Sequence, residues 1–161
     1  MDQRMSKDKY YLNIADAVLD RSTCLRRKYG AIIVKNDEIL STGYNGAPRG
    51  RVNCSELGYC NREQLNIPSG QRYELCRSVH AEANAILSAA RRDMLGGTLY
   101  LVGRDAKTHE LLEETMPCSM CKRLIINAGI TQVVVRTGSE SHKVIHVRDW
   151  VFNDDSLPTG I

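Results

Sequence analysis

The sequence has no apolar stretch of membrane-spanning length. Ala31–Val34 and Leu124–Ile126 are among its longest apolar runs, far short of the roughly 18 residues that a span requires. No secretory leader is visible, because Met1–Lys7 is polar, and a cytoplasmic location is expected. There is no repeat and no low-complexity segment, which excludes solenoid and array architectures. Charge of neither sign dominates: 22 basic against 19 acidic residues leave +3. That is too mild for a dedicated nucleic-acid binder, although it suits a small anionic substrate. With 42% hydrophobic and 25% charged residues, the chain lacks the composition of a disordered protein. Its 161 residues fit one domain, 1–161, large enough to hold a core without disulfide staples. Disulfides are not expected: the six cysteines at 24, 54, 60, 76, 118 and 121 belong to a chain with no export signal. In a reducing compartment, clustered cysteines point to metal binding or catalysis.

What is present reads as alternating helices and strands. Ser6 is placed to cap a helix over residues 6–20, with Leu12, Ala15, Val18 and Leu19 on one face. Gly30 opens the apolar run Ala31–Val34, Asn36-Asp37 forms a turn, and Glu38–Tyr44 returns, which predicts a β-hairpin. Residues 45–77 are rich in Gly, Pro, Asn and Arg and hold three cysteines; so long a connection is expected to be functional or stapled by metal. A helix over 81–92, a buried strand over 98–102 and a polar loop over 103–116 follow. A helix from about Cys118 to Ala128 is stopped by Gly129, and a strand over 131–136 comes next. One short strand or helix near 144–152 precedes a loose acidic end. Helix–strand alternation of this kind implies a layered α/β domain.

The chemistry concentrates at two helix starts. His80-Ala81-Glu82 begins one helix, and Pro117-Cys118-Ser119-Met120-Cys121 begins another. Cysteines three apart lie on one side of a helix, and the positive end of the helix dipole lowers a thiol's pKa. One imidazole and two thiolates are three of the four ligands of tetrahedral zinc, with one position left for water. Two thiolates neutralise the dication, so bound water is acidified less than at a three-histidine site and a neighbouring base is needed; Glu82 is the candidate. The alternative is a closed four-ligand zinc knuckle with Glu82 as a helix-start charge, although structural sites normally supply all four ligands themselves.

The His80-Ala81-Glu82 and Pro117-Cys118-x-x-Cys121 segments resemble the zinc-dependent nucleobase deaminases. Gly43-Tyr44-Asn45-Gly46-Ala47-Pro48, Ser22-Thr23-Cys24 and His80-Ala81-Glu82-Ala83-Asn84-Ala85-Ile86 narrow the likeness, over about residues 8–137, to the deoxycytidylate (dCMP) deaminases. The resemblance implies a three-layer α/β fold of the cytidine-deaminase kind, with a mixed sheet of about five strands and helices on both faces. The cysteine-bearing insertion spans about 47–78. It implies hydrolysis of dCMP to dUMP and ammonia, with Glu82 shuttling protons, and zinc as cofactor. It also implies that Ala81 backbone groups hold the base edge and that Asn45 grips the sugar. A phosphate needs a cation, and among Arg26, Arg27, Lys28, Arg49 and Arg51 the family likeness favours Arg26. Arg91 and Arg92 are expected to have only structural roles near a helix end, and His109, His142 and His146 are read as surface or core residues. Some members carry a second zinc on cysteines placed like Cys24 and Cys54, and Cys60 and Cys76 would complete a structural tetrahedron. Many members are homo-oligomers, often hexamers, activated by dCTP and inhibited by dTTP. The segment holding Gly43, Tyr44, Gly46, Arg49 and Arg51 is the candidate effector site. Two departures stand out: Val133-Val134-Val135-Arg136 lacks an aromatic residue common in relatives, and residues from 138 onward contribute nothing to the likeness. A deaminase of free nucleosides or other bases (cytidine, guanine, tRNA adenosine) is the alternative enzyme. A zinc-stabilised binding protein without turnover is the alternative outside enzymes, and Glu82 argues against it.

Overall fold

The computed structural model describes residues 3–153. Strands β1 (Arg27–Lys35) and β2 (Glu38–Tyr44) form the expected hairpin. Its two-residue turn has Asn36 and Asp37 both at positive φ, 52° and 61°. This is the left-handed turn whose twist matches paired strands, and Asn and Asp tolerate it best after glycine. Strand β3 (Thr98–Asp105) pairs antiparallel with β1, β4 (Gln132–Arg136) runs parallel to β3, and β5 (His142–His146) is antiparallel to β4. The sheet order is β2-β1-β3-β4-β5, so the expected five-stranded mixed sheet is present.

Strand alternation divides the core into two faces. Ile32, Val34, Tyr100, Val102 and Val134 face α1 (Lys7–Val18), which contributes Tyr11, Leu12 and Ala15, with Leu19 following. Ser6 caps that helix by accepting the Lys9 N–H at 3.2 Å. Ala31, Ile33, Leu99, Leu101, Val133 and Val135 face the opposite way, onto Ala81, Ala85, Ile125 and Ala128. These come from α4 (Ala81–Leu87) and α6 (Ser119–Ala128). The close approach of each helix layer depends on glycine. A Cβ on Gly30 would lie 2.0 Å from the Ala15 carbonyl of α1, and one on Gly43 would lie 2.3 Å from the Ala81 carbonyl of α4.

Several boundaries differ from the sequence expectation. The 81–92 helix is two elements: α4 ends at Leu87, Ala90 is extended, and the chain restarts as α5 (Arg91–Met94). The Ser88 hydroxyl donates back to the Asn84 carbonyl at 2.9 Å, supporting the stop. Arg91 therefore stands at a helix start, and its Nε donates 2.6 Å to the Asn127 carbonyl in the last turn of α6, where a cation is favoured. β3 continues three residues past 102, into the expected loop. The 144–152 region holds both a strand and a helix: β5 leads directly into α7 (Val147–Asn153). The acidic end beyond Asn153 lies outside the described residues. The insertion holds two single helical turns, α2 (Cys54–Leu57) and α3 (Asn61–Gln64), and a 3-10 turn over Tyr73–Leu75. Among the described residues no helix is long and apolar enough to cross a membrane.

Candidate active site and metal centre

His80 is the N-cap residue of α4 and Cys118 the N-cap of α6, with Cys121 in the first turn of α6. Both helices lie on the same face of the sheet, which brings their N-termini together. The residue before His80 is fixed by a two-way backbone bridge: Val79 N–H donates to Gly46 at 2.7 Å, and Gly46 N–H to Val79 at 3.2 Å. This bridge and the packing of α4 on β2 are the structural uses of the Gly43–Gly46 segment. It is the end of a strand followed by a bridge.

His80 Nδ1 lies 3.4 Å from the sulfur of Cys118 and 3.4 Å from that of Cys121. A tetrahedron with bonds of roughly 2.3 Å to sulfur and 2.0–2.1 Å to nitrogen has an N···S edge of about 3.5 Å. The donor set and spacing therefore fit zinc. Among the described residues this is the one set of three or more ligands whose donor atoms all lie within 4.8 Å of each other.

The electrostatics suit a dication. The Cys118 thiol is pushed down to about 4, mainly by the hydrogen bond from Cys121, with burial opposing and His80 assisting. Cys121 is pushed up in turn by sharing its proton with Cys118, and by burial. A coordinated metal removes both protons outright. Burial works against a charged His80, but its hydrogen bond with Cys118 and the nearby Glu82 leave the imidazole pushed upward. Glu82 is 5% exposed, and burial raises its carboxyl above the usual range against the pull of His80. A carboxyl beside the ligand set whose proton affinity is raised by burial is suited to proton transfer.

His80, Glu82 and Cys118 open into one pocket, walled by Asn45, Tyr29 and Tyr73. Arg26, Arg27 and Arg62 line it as well. Asn45 is buried and largely engaged. Its Oδ1 accepts from the Ser22 hydroxyl at 2.6 Å and the Tyr29 N–H at 2.8 Å, and its Nδ2 donates to the Arg27 carbonyl at 2.9 Å. One amide N–H is left for a ligand. Ala81 is fully buried as the first residue of α4, where a backbone N–H has no helical partner. Arg26 is paired with Glu63 at 2.9 Å.

Other sequence candidates lie elsewhere. Tyr44, Gly46, Arg49 and Arg51 do not line this pocket, and Lys28 faces a neighbouring groove. Among the free cysteines, Cys24, Cys60 and Cys76 line the active pocket and all three bear on Cys54, whose thiol is raised by burial and by these neighbours. Among the described residues only His80, Cys118 and Cys121 form a set of three or more donor atoms within 4.8 Å of one another, so a second metal on Cys24, Cys54, Cys60 and Cys76 would need these thiols to draw closer. Cys54 opens α2, Cys60 caps α3 and Cys76 follows the 3-10 turn, so the four thiols are brought near one another by the insertion's fold rather than by any one element. His109 and His142 face Asp20 and Asp8 at 3.9 and 3.4 Å, and His146 is exposed on β5. Arg136 is buried and reaches Asn13 and Asp16 of α1, so this last residue of the strand points away from the pocket. The aromatic wall comes from Tyr29 and Tyr73, which the sequence reading did not single out, and neither did it single out Arg62.

The family model described as the cytidine and deoxycytidylate deaminase zinc-binding region matches residues 5–137. The chain belongs to this deaminase family. It is 42% identical over 132 residues to the deoxycytidylate deaminase of Mycobacterium phage D29, covering 79% of this chain and 91% of that protein. It is 37% identical over 134 residues to the deoxycytidylate deaminase of Schizosaccharomyces pombe, covering 83% of this chain but 38% of that longer protein. Among solved structures, the dCMP deaminase of cyanophage S-TIM5 in complex with dCMP and dUMP is similar, with a TM-score of 0.57 and 27% identity. The match covers 83% of this chain and 84% of that one. Within the deaminase family, His80, Cys118 and Cys121 are the residues suited to the zinc-binding region, and they are the three that the fold has brought together.

Proposed function

We propose that this chain hydrolyses dCMP to dUMP and ammonia. The observation that carries the reading is a buried carboxyl, Glu82, beside the His80–Cys118–Cys121 ligand set, in a pocket that also holds arginines. The relatives from phage D29 and fission yeast, and the S-TIM5 enzyme with its dCMP and dUMP, support the substrate. Zinc held by His80, Cys118 and Cys121 would supply Lewis-acid activation of water. Glu82 accepts the proton that water gives up and returns protons to the pyrimidine ring and the departing amine. Burial raises the proton affinity of the carboxyl, which suits a group that must do both. Asn45 offers its remaining N–H to the sugar, and Ala81 its N–H to the base. Arg26 is a cation for the phosphate once released from Glu63.

The same reading includes a homo-oligomer regulated by dCTP and dTTP. Its support is that Arg49 and Arg51 are exposed on the segment leading away from Asn45, with Gly43, Tyr44 and Gly46 preceding them. One zinc per chain is the stoichiometry that the ligand spacing favours.

Ammonia release should be measured across dCMP, deoxycytidine, CMP, cytidine, dCTP, adenosine and guanine. dCMP is expected to be the best substrate. Equal efficiency on deoxycytidine would move the assignment to a nucleoside deaminase, and no release from any of them would leave a zinc-stabilised binding protein. Repeating the dCMP saturation curve with dCTP or dTTP tests regulation separately.

A further inference from the structure

Arg26 already has a carboxylate partner in Glu63. The residue just before Glu63 has none. Arg62 is 6% exposed and sits in the insertion on α3. Its Nη2 donates to the carbonyls of Pro68 and Gln71 at 2.9 and 2.8 Å. Its guanidinium lies 4.6 Å from the centre of the Tyr73 ring. Tyr73 in turn meets the His80 ring edge-on, with centroids 4.9 Å apart and an interplanar angle of 85°. The Arg62 Nε–H is buried and has no hydrogen-bond partner. Among the described residues Arg62 makes no ion pair.

This is an unusual state for arginine. A buried charge is normally paired, and a buried donor left unsatisfied is among the more destabilising features a fold can carry. The carbonyls and the aromatic ring hold the guanidinium in place without neutralising it. Arg62 lines the pocket that contains His80 and Glu82, so the anion that completes its surroundings can arrive with the substrate.

We propose that Arg62, resting on the dCMP reading above, is the specificity residue that selects a 5′-phosphate monoester over the unphosphorylated nucleoside. Its fork is fixed by Pro68, Gln71 and Tyr73, and the edge of the guanidinium that lines the pocket donates to a phosphate oxygen. A charge-assisted bond of this kind in a desolvated site is stronger than a neutral one. Arg26 acts with Arg62 only after parting from Glu63, whereas Arg62 has no carboxylate to give up.

The test uses the zinc-loaded protein and two readouts. Calorimetry compares binding of the product dUMP with binding of deoxyuridine. Steady-state kinetics compares kcat/KM for dCMP with that for deoxycytidine. In Arg62→Gln, the preference for the phosphorylated ligand should fall at least tenfold by both readouts, with zinc content retained and the loss carried by KM more than kcat. Equal losses on phosphorylated and unphosphorylated ligands would reduce Arg62 to a tie for the insertion and overturn the proposal, as would an unchanged preference. Should the glutamine variant fail to fold, Arg62→Lys carries the test, since lysine keeps the charge but not the stacked fork. A preference reduced at least threefold supports the proposal, and a preference equal to wild type overturns it. If wild type itself does not distinguish dUMP from deoxyuridine, the monophosphate reading fails before Arg62 is involved.

Discussion

Glu82 stands two residues past a metal ligand, on the first turn of α4, and is nonetheless buried. Its replacement by glutamine keeps the shape and removes the proton carrier. Glu82→Gln should retain zinc and melting temperature while losing roughly 10²–10⁴-fold in turnover, measured by ammonia release and metal analysis. A second residue-scale effect lies on the opposite face of the sheet. The Tyr11 hydroxyl donates to Asp37, and this bond, then burial, pushes the phenol from 10.0 up to about 12. The folded chain therefore holds that proton where the unfolded chain releases it. The stabilisation is complete below pH 10 and is lost as pH climbs from 10 towards 12. Urea midpoints at pH 8 and pH 11 should show wild type losing its advantage over Tyr11→Phe at the higher pH. At this scale the metal ligands and Glu82 were legible because each motif is local: a few residues at a helix start declare their chemistry by spacing alone. Arg62 and Tyr73 were not legible. They lie in a stretch without periodicity, and their roles come from Tyr73 meeting His80 edge-on, Arg62 lying over Tyr73 and a missing partner, none of which spacing encodes. Asn45 was legible as a pocket residue. Its engagement with Ser22, Tyr29 and Arg27 was not, because these contacts join segments 16 to 23 residues apart.

The seating of α4 on β2 sets the direction from which His80 reaches the ligand cluster. A side chain at residue 43 would meet backbone atoms, Ala81 O at 2.3 Å and Ala85 N at 2.4 Å, and neither can rotate away. Gly43→Ala should destabilise the fold by about 1–3 kcal/mol, the usual range for overpacking. At roughly 2–4 °C per kcal/mol, a thermal melt resolves it. Because the displaced helix begins at His80, zinc affinity should fall in the same variant, whereas an alanine at exposed Gly50 should leave zinc affinity unchanged. The elements themselves were largely legible. Apolar runs and the Asn36-Asp37 turn located the hairpin, and Gly129, at φ 78°, closed α6 as expected. The break between α4 and α5 was hidden because Ser88-Ala89-Ala90 contains no proline or glycine. The outer half of β3 was hidden because Gly103, Arg104 and Asp105 look like loop residues. They are strand residues because Tyr29, Lys28 and Arg27 stand opposite them in β1, a pairing set by tertiary structure.

At the scale of the whole molecule, the alternation of elements gave the layered α/β class, while the parallel β3–β4 pair emerged only when α6 crossed between the strands. The ligands are separated by α4, α5 and β3: His80 is 38 residues from Cys118 and 41 from Cys121. In the unfolded chain, bringing such distant groups together carries a closure entropy of about 3 kcal/mol plus a constant. Cys118 and Cys121 alone are a weak local pair, so zinc binds the native state far better than the unfolded one. Stability is then linked to zinc activity by mass action. With free zinc at 1,000 times its dissociation constant, the linkage is worth about 4 kcal/mol, or roughly 8–16 °C in Tm for a chain of this size. Stripping the metal with a chelator should lower Tm by that order, and graded zinc should restore it along a logarithmic curve. A protein of this kind reports the free metal of its surroundings through the fraction of its copies that remain folded.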